Sequence, residues 1–170
     1  MVRLTVPVGT LALVWLATMM PALGQPADPV AADLARDWAD QKQRMVALAE
    51  AMPAERYDFK ATPPQRTFAE QLVHLAEAHL RMLRALDPGG RVPVPAVGHP
   101  RSRQEVVAAL AAAYDYGQQV IALAAPVSER AGERTRARVV WAAMNNAMNH
   151  YGQCVVYLRL NGIVPPASRQ

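Results

Sequence analysis

The chain has 170 residues, 52% of them hydrophobic and 19% charged, and its 18 Lys and Arg outweigh 14 Asp and Glu to give a net charge of +4. The basic residues are scattered among acidic ones, as in Arg36-Asp37 and Glu133-Arg134, so they form no stripe that would follow a nucleic-acid backbone. The single cysteine, Cys154, excludes an intrachain disulfide and a structural zinc site built from paired cysteines. Because the basic residues form no such stripe, we expect no nucleic-acid partner.

Residues 1–24 have the layout of a secretory signal. A basic Arg3 precedes an apolar run at residues 11–20, and small residues follow at Ala22-Leu23-Gly24. This run is short for a spanning helix, which needs about 20 apolar residues, although an uncleaved anchor is the alternative. We predict a bacterial signal peptide at 1–24, a mature domain at 25–170 that is periplasmic or secreted, and no stable membrane insertion after cleavage. Cleavage removes only Arg3 among the charged residues, which leaves 17 basic residues against 14 acidic ones.

Prolines divide the mature chain into four windows that could be helical, at residues 30–52, 65–87, 101–125 and 127–164. Capping boxes are predicted at Thr67-x-x-Glu70 and Ser102-x-x-Glu105, and Asp28-Pro29 is typical of a helix start. No window shows sustained alternation of β-branched residues. The pattern predicts an all-α protein, a four-helix bundle preceded by a signal peptide.

The first and third helices have clear apolar faces. Trp38 lies centrally on the first face and Tyr114 on the third, so both are predicted core residues. Neither helix carries a side chain that we predict to ligate a metal. Long loops at residues 53–66 and 87–101 join the first three helices, which excludes tight hairpins between them.

The fourth helix carries a polar stripe at spacings of four, three and four residues. These spacings keep the four side chains on one helix face, which is apolar before and after the stripe. The stripe should therefore point inward, as a satisfied polar layer or as a site. Its members are Asn146, His150, Gln153 and Tyr157.

The second helix has two histidines on different faces. His79 falls on the apolar face with Phe68 and Leu72, so periodicity predicts that it is buried. His74 lies on the polar side with Glu70, where a solvated face is the plain interpretation. His99, in the loop next to Pro100, is predicted to be a surface histidine, and Cys154 a small buried hydrophobe.

Three segments together resemble the DinB-like family of metal-binding helical bundles. They are HYGQ-x-VVYLRLNGIVPP from His150, MPAERYDFKATPPQRTFAEQLVHLAEA at Met52–Ala78, and GERTR at Gly132–Arg136. In that family three histidines usually bind one divalent metal, and the resemblance places them at His74, Asn146 and His150. The chain departs from the pattern at Asn146. A carboxamide oxygen is a poor donor to Zn²⁺ or Ni²⁺, so the resemblance implies a weakly bound metal, with Glu70 or Glu77 as further donors and Gln153 and Tyr157 in the pocket.

Two functions follow from this resemblance. One is a non-catalytic bundle whose degenerate pocket binds a divalent metal or a small ligand. The other is a metal-dependent enzyme, thiol-transferase-like or hydrolase-like, in which the metal would lower the pKa of a thiol. Export favours the non-catalytic bundle, because the thiols that the family's thiol transferases use are cytosolic. Apolar residues on the outer face of the fourth helix, including Trp141 and Val155, also predict a homodimer.

Overall fold

Four α-helices form most of the protein in the computed structural model, which describes residues 28–169. They are α1 (Pro29–Ala51), α2 (Phe68–Leu83), α3 (Arg103–Ala122) and α4 (Arg136–Leu160). Short 3-10 turns lie at Ala54–Arg56, Arg84–Leu86 and Pro166–Ser168. The predicted all-α class with four helices is confirmed, whereas the predicted signal peptide lies outside the described residues.

The helix starts follow the predicted capping chemistry. Thr67 and Glu70 exchange hydrogen bonds with each other's backbone N–H at the start of α2, and Ser102 and Glu105 do the same at α3. Asp28 caps α1 through Oδ1 and accepts from the backbone N–H of Val127 through Oδ2, at 2.9 Å. This second bond ties the start of α1 to the segment that follows α3.

A small β-hairpin separates α3 from α4. Strands β1 (Arg130–Ala131) and β2 (Arg134–Thr135) pair antiparallel around Gly132, whose φ of 67° suits the tight turn. The fourth predicted helical window, residues 127–164, is therefore helical only from Arg136. The proline pattern could not show this, because the segment that forms the hairpin contains no proline.

Each helix packs mainly against two others: α1 and α2 both contact α3 and α4. The order around the bundle is thus α1, α3, α2, α4, so α1 lies diagonal to α2 and α3 lies diagonal to α4, whereas α2 and α3 are neighbours. The long loop before α2 and the hairpin segment before α4 connect the two diagonal pairs. As a result α2 and α4, which carry the predicted site residues, are direct neighbours. Among residues 28–169, no helix is long and apolar enough to cross a membrane.

An aromatic cluster forms the centre of the core where α1, α2 and α3 meet. The ring of Trp38 lies 4.8 Å from that of His79 and 4.9 Å from that of Tyr114, and its indole N–H donates to the Tyr114 carbonyl at 2.9 Å. Trp38 and Tyr114 are fully buried, as predicted. Gly117 leaves room for the indole, because a Cβ there would lie 2.3 Å from a ring carbon of Trp38.

Candidate functional site

The structure brings two of the predicted site residues together at the contact between α2 and α4. The imidazole rings of His74 and His150 have centroids 5.4 Å apart and planes tilted by 59°. His150 is 7% exposed, whereas His74 is half-buried. We call these two residues the histidine pair. Two imidazoles at this separation can direct ring nitrogens towards one small ligand or ion.

A buried glutamine on α2 orients His150. The side-chain N–H of Gln71 donates to Oε1 of Gln153 at 3.0 Å, which leaves its own Oε1 to accept from Nδ1 of His150 at 3.1 Å. This direction of hydrogen bonding assigns the proton of a neutral His150 to Nδ1, and its Nε2 keeps a free lone pair. Such a second partner is what fixes the ring of a ligating histidine in metal sites.

Asn146 lies one helical turn before His150 on α4 and is half-buried. Its Oδ1 is shielded from solvent and accepts no hydrogen bond from the described residues. A buried acceptor without a donor is unfavourable by about 1–3 kcal/mol. The position where the chain departs from the family pattern thus holds an oxygen that a cation or a donor group would satisfy.

The environment of the histidine pair favours neutral rings. Burial lowers the pKa of His150, and the charges of His74 and Arg66 lower it further. The pKa of His74 is also lowered, first by burial and then by Arg66 and Arg81, against an opposing effect of Glu77. Neutral imidazoles offer the lone pairs that a metal or a hydrogen-bond donor needs.

His79 is not part of the pair. It is fully buried against Trp38 and Tyr114, as periodicity predicted, and burial together with the charge of His150 lowers its pKa to about 3. Neither ring nitrogen makes a hydrogen bond of good geometry, although the Ala143 carbonyl acts to raise the pKa. We assign His79 to core packing.

An open cleft of about 620 Å³ has His74 in its lining. Glu70 and Glu77 line it, as does His99, which is exposed as predicted. The Glu70 carboxylate accepts from the Thr67 backbone N–H at 2.7 Å, a bond that lowers its pKa and occupies it in helix capping. Within the described part of the chain, no three His, Cys, Asp or Glu side chains are grouped as a metal site.

The rest of the polar stripe on α4 is divided between solvent and core. Gln153 is exposed and reaches the site only through Gln71, and Leu160, just beyond the stripe, is 58% exposed. Tyr157 is buried and donates its hydroxyl to the Arg66 carbonyl at 2.6 Å. Cys154 is buried as predicted, and burial raises the pKa of its thiol to about 12.

Two residues of the site were missed in the sequence. Gln71 orients His150, and Arg66 shifts the pKa of both imidazoles. Gln71 had a detectable signal, because it stands three residues before His74 and next to Leu72 on the edge of an apolar face. Arg66 lies in a loop, where periodicity carries no information.

The comparisons with known proteins agree with this fold. The family model described as the DinB superfamily matches residues 37–154, a range that includes all of α2 and α3 and most of α1 and α4. No curated protein matches the chain. The match covers more than half of the chain and contains His74, Asn146 and His150. The chain therefore belongs to the DinB superfamily.

Proposed function

We propose that this protein is an exported binding protein whose pocket at the histidine pair takes a divalent metal ion weakly, or a small ligand, without a catalytic role. The observation that carries the proposal is the approach of His74 and His150 at 5.4 Å, with His150 oriented by Gln71. Gln71 fixes the orientation of the His150 ring and leaves the lone pair of Nε2 for a metal ion or a hydrogen-bond donor.

The donors present fit a weak metal site. His74 and His150 would each supply one imidazole nitrogen, and the unpartnered Oδ1 of Asn146 would supply a neutral oxygen. Zn²⁺ and Ni²⁺ bind imidazole well and a carboxamide oxygen poorly, so two good ligands remain of the three that the resemblance implies. A bound ion would supply Lewis-acid polarisation to a ligand that reached it.

Calorimetric titration of the mature protein, produced without a histidine tag, tests the proposal. We expect saturable binding of one Zn²⁺ or Ni²⁺ that dialysis removes, and loss of that binding in His74→Ala and in His150→Ala. Asp40→Ala is the matched control, since it removes an exposed carboxylate on α1 that lines a different groove, and it should leave binding unchanged. Absence of any saturable binding, or equal loss in the control, would contradict the metal site.

A metal-dependent enzyme of the thiol-transferase or hydrolase type is the second candidate. The cleft beside His74 favours it, because it offers space for a substrate next to the pair. Cys154 cannot act as the nucleophile, since it is buried in the core and its thiol stays protonated near neutral pH. A thiol in such a reaction would have to be a second substrate.

Export rests on the sequence of residues 1–24. We expect the intact mass of the protein recovered from its native host to correspond to a chain that begins at Gln25. A mass that includes Met1 would show that the segment is retained and would remove the argument from export.

A further inference from the structure

The cleft beside His74 is bordered by more positive than negative side chains. Lys60 and Arg66 come from the loop before α2, and Arg101 comes from the loop before α3. None of the three lies within ion-pairing distance of a carboxylate among residues 28–169. Three cationic groups thus border one concave surface without direct partners.

The backbone at Arg66 and Arg101, and at the residue before Lys60, makes hydrogen bonds. The Arg66 carbonyl accepts from the buried Tyr157 hydroxyl at 2.6 Å, and the Arg101 N–H donates to Glu105 at 2.6 Å. Lys60 follows Phe59, whose carbonyl accepts from the Phe68 N–H at 3.0 Å. Loop segments held in this way lose little further backbone entropy when a ligand binds.

The acidic residues of the cleft offset this charge only in part. Glu70 and Glu77 carry two negative charges against the three positive ones, and the hydrogen bond that Glu70 accepts in the capping box of α2 leaves its charge in place. The floor between the charged groups includes apolar Ala69 and Val73. The cleft therefore combines an anion-attracting rim with an apolar surface.

We infer that this cleft binds a small organic anion, with its carboxylate or phosphate group held by Arg66 and Arg101 and its apolar part placed on Ala69 and Val73. Arginine suits this role because its planar donors match the oxygens of both groups. The inference deepens the proposed function by naming the ligand class of the pocket that includes His74, and it does not require a bound metal.

Titration of the metal-free mature protein with benzoate and with inorganic phosphate, followed by NMR, tests the inference. We expect benzoate to bind and to shift the side-chain signals of His74, with weaker binding of phosphate, which has no apolar part. Arg66→Gln and Arg101→Gln should each weaken binding by about tenfold or more, as expected for loss of a charge-assisted hydrogen bond. Arg44→Gln is the matched control, because Arg44 is exposed on α1 and lines a different groove.

The outcomes separate this inference from the metal site. Benzoate binding that depends on Arg66 and Arg101 supports the inference even where Zn²⁺ and Ni²⁺ do not bind. The inference is overturned by absence of benzoate binding, or by an equal loss in Arg44→Gln, which would indicate attraction by net charge alone. Thermal melting of each variant shows whether a lost affinity reflects unfolding, and a variant that melts early is replaced by Arg66→Lys or Arg101→Lys, which should retain partial binding.

Discussion

At the scale of single residues, the histidines show what periodicity can and cannot predict. The apolar spacing on α2 placed His79 in the core, and the structure confirms it at 0% exposed. The same spacing assigned His74 to a solvated face, yet its ring lies 5.4 Å from that of His150. His74 was predicted as a site residue only from the resemblance to the DinB-like family. A helix that borders two others has two inward edges, and a single apolar face reveals one of them.

Gly117 provides a test of the core at this scale. Gly117→Ala should destabilise the protein by about 1–3 kcal/mol, because the added methyl group would overlap the Trp38 ring. This cost exceeds the gain of about 0.8–1.0 kcal/mol that alanine brings to a helix interior.

Gly152→Ala on α4 is the control for Gly117→Ala, since no atom lies within 4 Å of a Cβ at that position. It should stabilise the protein by up to about 1 kcal/mol. Urea unfolding measures both free energies. Equal stabilisation by the two substitutions would show that Trp38 does not pack against Gly117.

At the scale of elements, much of the fold could be predicted because its signals are local. Proline positions gave the number of helices, and the two capping boxes gave the first residues of α2 and α3. The hairpin before α4 was missed, since strands of two residues are too short to show alternation. The inward direction of the α4 stripe was predicted correctly for His150 and Tyr157 but not for Gln153, which is exposed.

Helix α4 also has an outer face that carries large exposed apolar residues. Trp141 is 53% exposed and lies under the guanidinium group of Arg138, 4.3 Å from the ring centroid. Met148 and Val156 are exposed on the same helix, whereas Val155, which was predicted on this face, is half-buried and packs against the core. This surface is what the expected homodimer would use, and the homodimer stays a prediction.

At the scale of the whole molecule, the order of the helices determines the site. Because α2 packs against α4 rather than α1, the second helix brings His74 to His150. No local pattern encodes this order, in which the connection from α1 to α2 and the connection from α3 to α4 each join diagonal helices. The cleft beside His74 arises in the same way, from two loops that are distant in sequence. The sequence alone therefore predicted the helices, and the family resemblance selected His74, whose ring lies near that of His150.

The central proposal is that His74, Asn146 and His150 converge on one site, in which Asn146 stands where the resemblance implies a third histidine. Calorimetric titration of Asn146→His with Zn²⁺ and Ni²⁺ tests it most directly. Residues four apart on a helix can direct two imidazoles at one ion, so the substitution should convert weak binding into tight binding that survives dialysis. A second substitution, His74→Ala or His150→Ala, should abolish the gain. If Asn146→His binds neither ion more tightly than the wild type, the three positions do not converge and the account of the site is wrong.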